Sequence, residues 1–299
     1  MKLYFKHLYP SFEEWREEPF APWSFKEATL LSVLSFFESH IIEDETFSLK
    51  KELDCEVFMD SGAFAATAMG FELDPYEVAE IHSLIKADLI VPLDKIILEE
   101  DDQETIERKI EETIHNTEIL LDMKPKNSEI IAPLQGLSRA MIERLFDKYR
   151  ELGITRFALG GVVFQKDLEA ALERIRMTRV ITEGYFLHIF GRFLHPELLE
   201  PIIQTGADSV DGYGYVISSV KGLYIHQGKY KPVMELTAEE FKQCQCSVCQ
   251  ENDLADLQRA DSQAQYLLIE HNIQSLIEVK EQFLRKNKGT PGKEVSKEE

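Results

Sequence analysis

Met141-Ile142-Glu143-Arg144-Leu145-Phe146-Asp147-Lys148-Tyr149-Arg150-Glu151-Leu152-Gly153, continued by Ile154-Thr155-Arg156-Phe157-Ala158-Leu159-Gly160-Gly161, is the stretch whose pattern decides the fold. Met141, Ile142, Leu145, Phe146 and Tyr149 recur at helical spacing, so the segment from Leu137 to Leu152 predicts an amphipathic helix. Gly153 stands where a helix C-cap belongs, and Arg156-Phe157-Ala158-Leu159 reads as a short buried strand. The same succession of apolar run, polar or glycine-rich end and helical pattern is found on both sides. Upstream runs are Glu56-Val57-Phe58-Met59, Asp88-Leu89-Ile90-Val91 and Glu129-Ile130-Ile131-Ala132; downstream ones are Tyr185-Phe186-Leu187-His188-Ile189 and Asp208-Ser209-Val210. Leu168 to Arg176 and Pro196 to Gln204 supply further helices, the second closed by Gly206. Six strand–helix alternations imply a parallel sheet with crossover helices. No G-x-G-x-x-G follows the first strand, so a closed (β/α)8 TIM-type barrel is expected rather than an open dinucleotide-binding sheet.

The remaining strands must come from residues 1–50, where the pattern is poor and Leu30 to Phe37 is the best candidate. Residues 97–116, with Glu99, Glu100, Asp101, Asp102, Glu104 and Glu107, predict an acidic helix whose charges face solvent. Beyond Asp211 the pattern becomes hairpin-like and aromatic from Tyr213 to Val233, and then helical. The expected organisation is a barrel domain over 1–235, a zinc-binding helical subdomain over 236–285 and a disordered polar tail over 286–299.

The chain has 299 residues, 44% of them hydrophobic, enough for a sizeable core. Its 33 Lys and Arg against 54 Asp and Glu give a net charge of −21. That field repels phosphates and argues against a general polyanion binder, while leaving room for a local basic groove. Neither a secretory h-region nor an apolar stretch long enough to cross a bilayer is present, so a cytoplasmic protein without membrane contact is expected, in a host cytoplasm if phage-encoded.

Of four cysteines, three are clustered in Cys244-Gln245-Cys246-Ser247-Val248-Cys249, and His271 follows downstream. Three thiolates and an imidazole form a tetrahedral Zn(II) set with no open position, so the metal is expected to be structural. In a parallel barrel, chemistry gathers at the carboxyl ends of strands. Those ends carry Asp60, Asp94, Gln135, Gly160-Gly161, Gly191 and Asp211. Converging carboxylates beside glycines suit a flat ligand. Paired carboxylates serve as nucleophile and acid/base at an anomeric carbon, or as ligands in a metal-assisted reaction.

These residues resemble the tRNA-guanine transglycosylase superfamily. Asp60-Ser61-Gly62-Ala63-Phe64 is similar to its DSGGF segment, with Ala63 for the second glycine, and Asp88 to Asp94 is similar to its base-recognition strand. Pro133-Leu134-Gln135-Gly136, Leu159-Gly160-Gly161-Val162 and Gly206-Ala207-Asp208-Ser209-Val210-Asp211 resemble three further elements, in order. The Cys244, Cys246, Cys249, His271 set resembles its zinc site. The resemblance implies that Asp211 is the nucleophile and Asp60 the general acid/base. It implies that Ser61, Phe64, Asp94, Gln135, Gly160 and Gly161 hold a guanine or a 7-cyano- or 7-aminomethyl-7-deazaguanine base. A homodimer is implied as well.

Departures bear on the polynucleotide. The T-R-x-x-R stretch that grips the anticodon loop in the tRNA enzymes is replaced by Gly212-Tyr213-Gly214-Tyr215-Val216-Ile217-Ser218-Ser219-Val220, without arginine. No C-terminal RNA-binding domain is expected. His188, near the place of a base-packing methionine, is expected to be a core histidine satisfied by backbone. The pattern is closer to the DNA 7-deazaguanine branch, with Lys221, Lys229 and Lys231 as phosphate contacts and an accessory protein to open the duplex. DNA is therefore favoured slightly over tRNA. The competing readings are a non-catalytic partner subunit and an unrelated barrel glycosidase.

Overall fold

The computed structural model describes residues 1–6, 28–37, 49, 53–191 and 193–288. They divide into two compact units, Met1–Leu194 with Pro201–Gly214, and His195–Glu200 with Tyr215–Glu299.

The first unit is a parallel barrel. Its strands are β1 (Lys2–Lys6), β2 (Thr29–Ser32), β3 (Val57–Asp60), β4 (Leu89–Ile90), β5 (Glu129–Ile130), β6 (Ala132–Leu134), β7 (Arg156–Leu159), β8 (Phe186–Ile189) and β9 (Ser209–Gly212). They run in the order β5-β4-β3-β2-β1-β9-β8-β7-β6. The two ends of that order are halves of one extended stretch, residues 129–134. β5 pairs with β4 through Leu89↔Glu129, and β6 pairs with β7 through Ala132↔Phe157. Between them the Ile131 N–H donates to the Ile90 carbonyl at 2.9 Å, so the ring of strands joins up as the (β/α)8 barrel expected. Tyr4, Leu30, Phe58, Leu89, Ile131 and Ala158 fill its interior.

Helices α1 (Ala63–Met69), α2 (Pro75–Ile85), α3 (Gln103–Met123), α4 (Arg139–Glu151) and α5 (Leu168–Ile181) alternate with the strands. Helix α6 (Pro196–Gln204) follows β8. The decisive segment behaves as its pattern requires: α4 buries Ile142, Leu145 and Tyr149, and Gly153 takes a φ of 79°, which L side chains avoid. Two expectations need adjustment. The apolar segment 30–37 is a strand only through Ser32. That hydroxyl accepts from the Leu34 N–H at 3.4 Å and turns the chain into a 3-10 segment, Val33–Phe36. The acidic helix begins at Gln103 rather than at 97. Asp102 is its N-cap, accepting from Thr105 N at 2.8 Å, and Asp101 binds Leu98 N and Lys109 in the preceding loop.

The hairpin-like pattern expected over 213–233 is a helix in its first part, α7 (Gly214–Val220), and the second unit, which resumes at Tyr215, has its hairpin only beyond that, β10 (Leu223–His226) with β11 (Lys229–Pro232). Short helices α8 (Ala238–Gln243), α9 (Ser247–Glu251) and α10 (Leu254–Leu257) precede the long α11 (Ser262–Lys288). Tyr224, Phe241, Val248, Leu257 and Leu268 form its core. The tail expected over 286–299 falls mostly on 289–299, outside the described residues. Among the described residues no helix is long and apolar enough to cross a membrane.

Candidate active site and metal centre

The carboxyl ends of the barrel strands open on a cavity of about 980 Å³. Asp60, Ser61, Phe64, Asp94, Gln135, Gly160, Gly161 and Asp211 all line it. Residues from five strand ends thus share one space, because parallel strands place their C-terminal residues on one rim.

One wall is built to meet N–H donors. Asp94 is buried and accepts from Ser61 Oγ at 3.1 Å and from Gln135 Nε2 at 2.5 Å. Burial pushes its carboxyl above the usual range, against the pull of the Gln135 and Ser61 hydrogen bonds. A carboxylate only accepts, so Gln135 presents its NH2 there and leaves Oε1 buried without a partner. That acceptor faces the Gly160-Gly161 backbone. A Cβ on Gly160 would lie 2.2 Å from Gln135 Nε2, so only glycine lets the amide pass. Behind this turn, Arg174 Nη2 donates to the Gly160 carbonyl at 3.2 Å, and burial pulls its pKa to about 10. Helix α3 holds the loop that carries Asp94: Asn116 Nδ2 donates to the Leu93 carbonyl and Thr113 Oγ1 accepts from Lys95 N, both at 2.9 Å. Phe64, on the first turn of α1, is 43% exposed and lines the same cavity.

The other wall carries the paired carboxylates. Asp211 on β9 is 3% exposed, and its Oδ1 accepts from Gly191 N at 2.9 Å. Asp60 on β3 accepts from Gly62 N at 2.9 Å through Oδ1, and its Oδ2 is 2.5 Å from Lys6 Nζ at the end of β1. His188 is buried, as expected, but backbone does not satisfy it. The register His188↔Ser209 places its Nδ1 2.8 Å from Ser209 Oγ. Nε2 faces Asp211 Oδ1 at 3.3 Å, too oblique for a full hydrogen bond. Burial lowers its pKa despite that carboxylate, which keeps the ring neutral.

Lys6 and the facing of His188 onto Asp211 are features the sequence reading missed. Leu3-Tyr4-Phe5 is short for a strand signal, yet its alternation puts Lys6 two residues beyond Tyr4, an interior position. Of the lysines expected to meet phosphate, Lys221 and Lys229 are exposed, whereas Lys231 is engaged by Glu240 at 2.7 Å.

In the second unit, Cys244, Cys246, Cys249 and His271 bring their donor atoms within 4.8 Å of one another. His271 Nδ1 lies 3.8, 3.3 and 3.6 Å from the three sulfurs in that order. Metal–sulfur and metal–nitrogen bonds of about 2.3 and 2.0 Å in a tetrahedron separate S and N by roughly 3.5 Å, so the donor set fits one ion. Nε2 of His271 donates to the Ile225 carbonyl at 3.0 Å, leaving Nδ1 with its lone pair toward the thiols. The Tyr224 ring stacks on His271 at 3.6 Å. Asn272 secures the same hairpin, accepting from Ile225 N at 3.0 Å and donating to the Leu223 carbonyl at 2.9 Å.

A parallel (β/α)8 barrel with carboxylates, an amide and paired glycines at its strand ends is an enzyme scaffold of the TIM class. A family model described as queuine tRNA-ribosyltransferase matches residues 40–285, and the chain belongs to that family. It is 25% identical over 232 residues to a tRNA-guanine(15) transglycosylase of Archaeoglobus fulgidus, covering 74% of this chain and 47% of that protein. It is 24% identical over 234 residues to a tRNA-guanine(15) transglycosylase of Methanocaldococcus jannaschii, covering 74% of this chain and 35% of that one. The chain therefore spans less than half the length of these curated relatives.

Proposed function

We propose that this chain is a guanine transglycosylase, a pentosyltransferase that exchanges guanine in a polynucleotide for a 7-deazaguanine base. What supports the reading is the convergence of eight assigned residues on one cavity of a family barrel. A carboxylate of Asp211 attacks C1′ of the target nucleotide, the C1′–N9 bond breaks, and its electron pair leaves with guanine as Asp60 delivers a proton. The incoming base gives a proton back to Asp60 as it attacks C1′ and releases Asp211. Asp94 and the unpaired Gln135 Oε1 accept from the N–H donors of a guanine-like edge, while Ser61 and Gly161 complete that wall and Phe64 stacks on the ring. Bases without those donors are rejected, because buried acceptors would go unpaired. The target nucleotide reaches this site by leaving its stack.

DNA is the polynucleotide we favour, since no arginine follows Asp211 in residues 212–220 to grip an anticodon loop. A tRNA substrate is the second reading, favoured by the names of the two archaeal relatives. The metal is proposed to be zinc in a structural role, within a subdomain over 236–285. A homodimer and a duplex-opening accessory protein belong to the same reading. Labelled guanine supplied with unmodified tRNA and duplex DNA in parallel tests it. Incorporation is expected in one of them, with Asp211→Ala at background and an unchanged circular dichroism spectrum. Incorporation undiminished in Asp211→Ala would refute the assigned nucleophile.

A further inference from the structure

Lys6 closes the end of β1, the strand between β9, which carries Asp211, and β2, which separates it from β3 and Asp60. It lines the same cavity as both carboxylates. Its side chain is 21% exposed, that of Asp60 is 14% exposed, and Nζ sits 2.5 Å from Asp60 Oδ2, a short charge-assisted contact in a sheltered place. Asp60 is thereby held between the ammonium, which pairs with Oδ2, and the Gly62 N–H, which donates to Oδ1. An acid that must protonate a departing base cannot do so as a carboxylate unless a proton reaches it from a neighbour.

We propose that Lys6 is the proton reservoir for Asp60, acting through that carboxylate rather than on the substrate; the proposal rests on the transglycosylase reading above. At rest the proton stays on the Lys6 ammonium and Asp60 is ionised. As Asp211 attacks C1′ and the C1′–N9 pair collapses onto guanine, Asp60 hands a proton to the base and takes one from Lys6 across the 2.5 Å contact. In the second half the incoming base loses its proton to Asp60, which returns it to Lys6. No proton is gained or lost over the cycle. Among the described residues, the titratable groups that act on Lys6 include Asp60 on β3, Asp211 on β9, Tyr213 just beyond β9 and His188 on β8. Burial pulls the lysine down, but Asp60 and Asp211 more than offset it, so the ammonium persists near neutrality.

The test is the pH dependence of guanine exchange in wild type, Lys6→Met and Lys6→Arg, together with carboxyl-carbon NMR titration of Asp60. In Lys6→Met, Asp60 must carry its own proton, so exchange is expected to fall about tenfold per pH unit above the Asp60 titration, while the wild type stays flat there. Lys6→Arg keeps the charge without a transferable proton and is expected to be slow throughout, by about a hundredfold. Wild-type rates in Lys6→Arg, or a wild-type pH profile in Lys6→Met, would overturn the proposal. Absence of exchange in the wild type would instead sink the transglycosylase reading. The NMR titration still decides whether Lys6 governs Asp60: a higher Asp60 midpoint in Lys6→Met supports it, and an unchanged one contradicts it.

Discussion

Gly160 shows how much of the site depends on an atom that is not there. The Gln135 amide reaches Asp94 by passing where a Cβ on residue 160 would stand, 2.2 Å from Nε2. Gly160→Ala is expected to push the amide away, break its 2.5 Å bond to Asp94 and leave a buried carboxylate short of a donor. Guanine affinity measured by calorimetry should fall by about 5- to 150-fold, about 1–3 kcal/mol, with the fold retained. Asp60, Asp94, Gln135 and Asp211 were legible in sequence because each stands at the end of a readable strand. Lys6 was not, because its strand offers three apolar residues, too few for periodicity to speak. The partner of His188 was hidden for another reason: a register between strands is a long-range fact.

The elements around the barrel do more than cover it. Helix α2 places His82 under β4, where Nε2 meets the Val91 carbonyl at 2.9 Å and Nδ1 is buried without a partner. Burial lowers its pKa from 6.5 to about 4, against the pull of the Val91 carbonyl. The fold therefore favours the neutral ring. Its contribution is complete above the unfolded value and is lost as pH falls through the window from about 6.5 to about 4. At about 1.4 kcal/mol per unit, roughly 3 kcal/mol should disappear by the acid end of that window. Urea unfolding at pH 7 and at pH 4.5 should reveal a smaller acid loss in His82→Gln than in wild type; equal losses would remove His82 as the cause. Helix α3 acts similarly on the site through Asn116 and Thr113, which fix the backbone on either side of Asp94. Its sequence announced an acidic helix, but the acidic cluster drew the expected start too early, because Asp101 and Asp102 serve as loop and cap residues.

At the scale of the molecule, two units with different sources of order share one chain. The second has a small core and a Cys3His cluster whose histidine is fixed by the β10 backbone. Metal binding there is expected to carry much of the unit's folding free energy. Chelation should abolish hydrogen-exchange protection in β10, β11 and α11 and lower the melting temperature. A chelated protein with unchanged protection would show that the core suffices without metal.

Sequence by itself determined the repeating strand–helix order, the carboxylates at strand ends and the clustered thiols, since each depends on spacing along a local segment. Only the tertiary structure decided how the ring closes, where residues 129–134 change partners between β4 and β7. It also decided which cation faces Asp60 and which ring faces Asp211, because those contacts join residues 54 and 23 positions apart, as Lys6 to Asp60 and His188 to Asp211. Local periodicity fixes which face of a strand points inward. It carries no information on which strand lies beside it, and that neighbourhood is what brings Lys6 to Asp60 and His188 to Asp211.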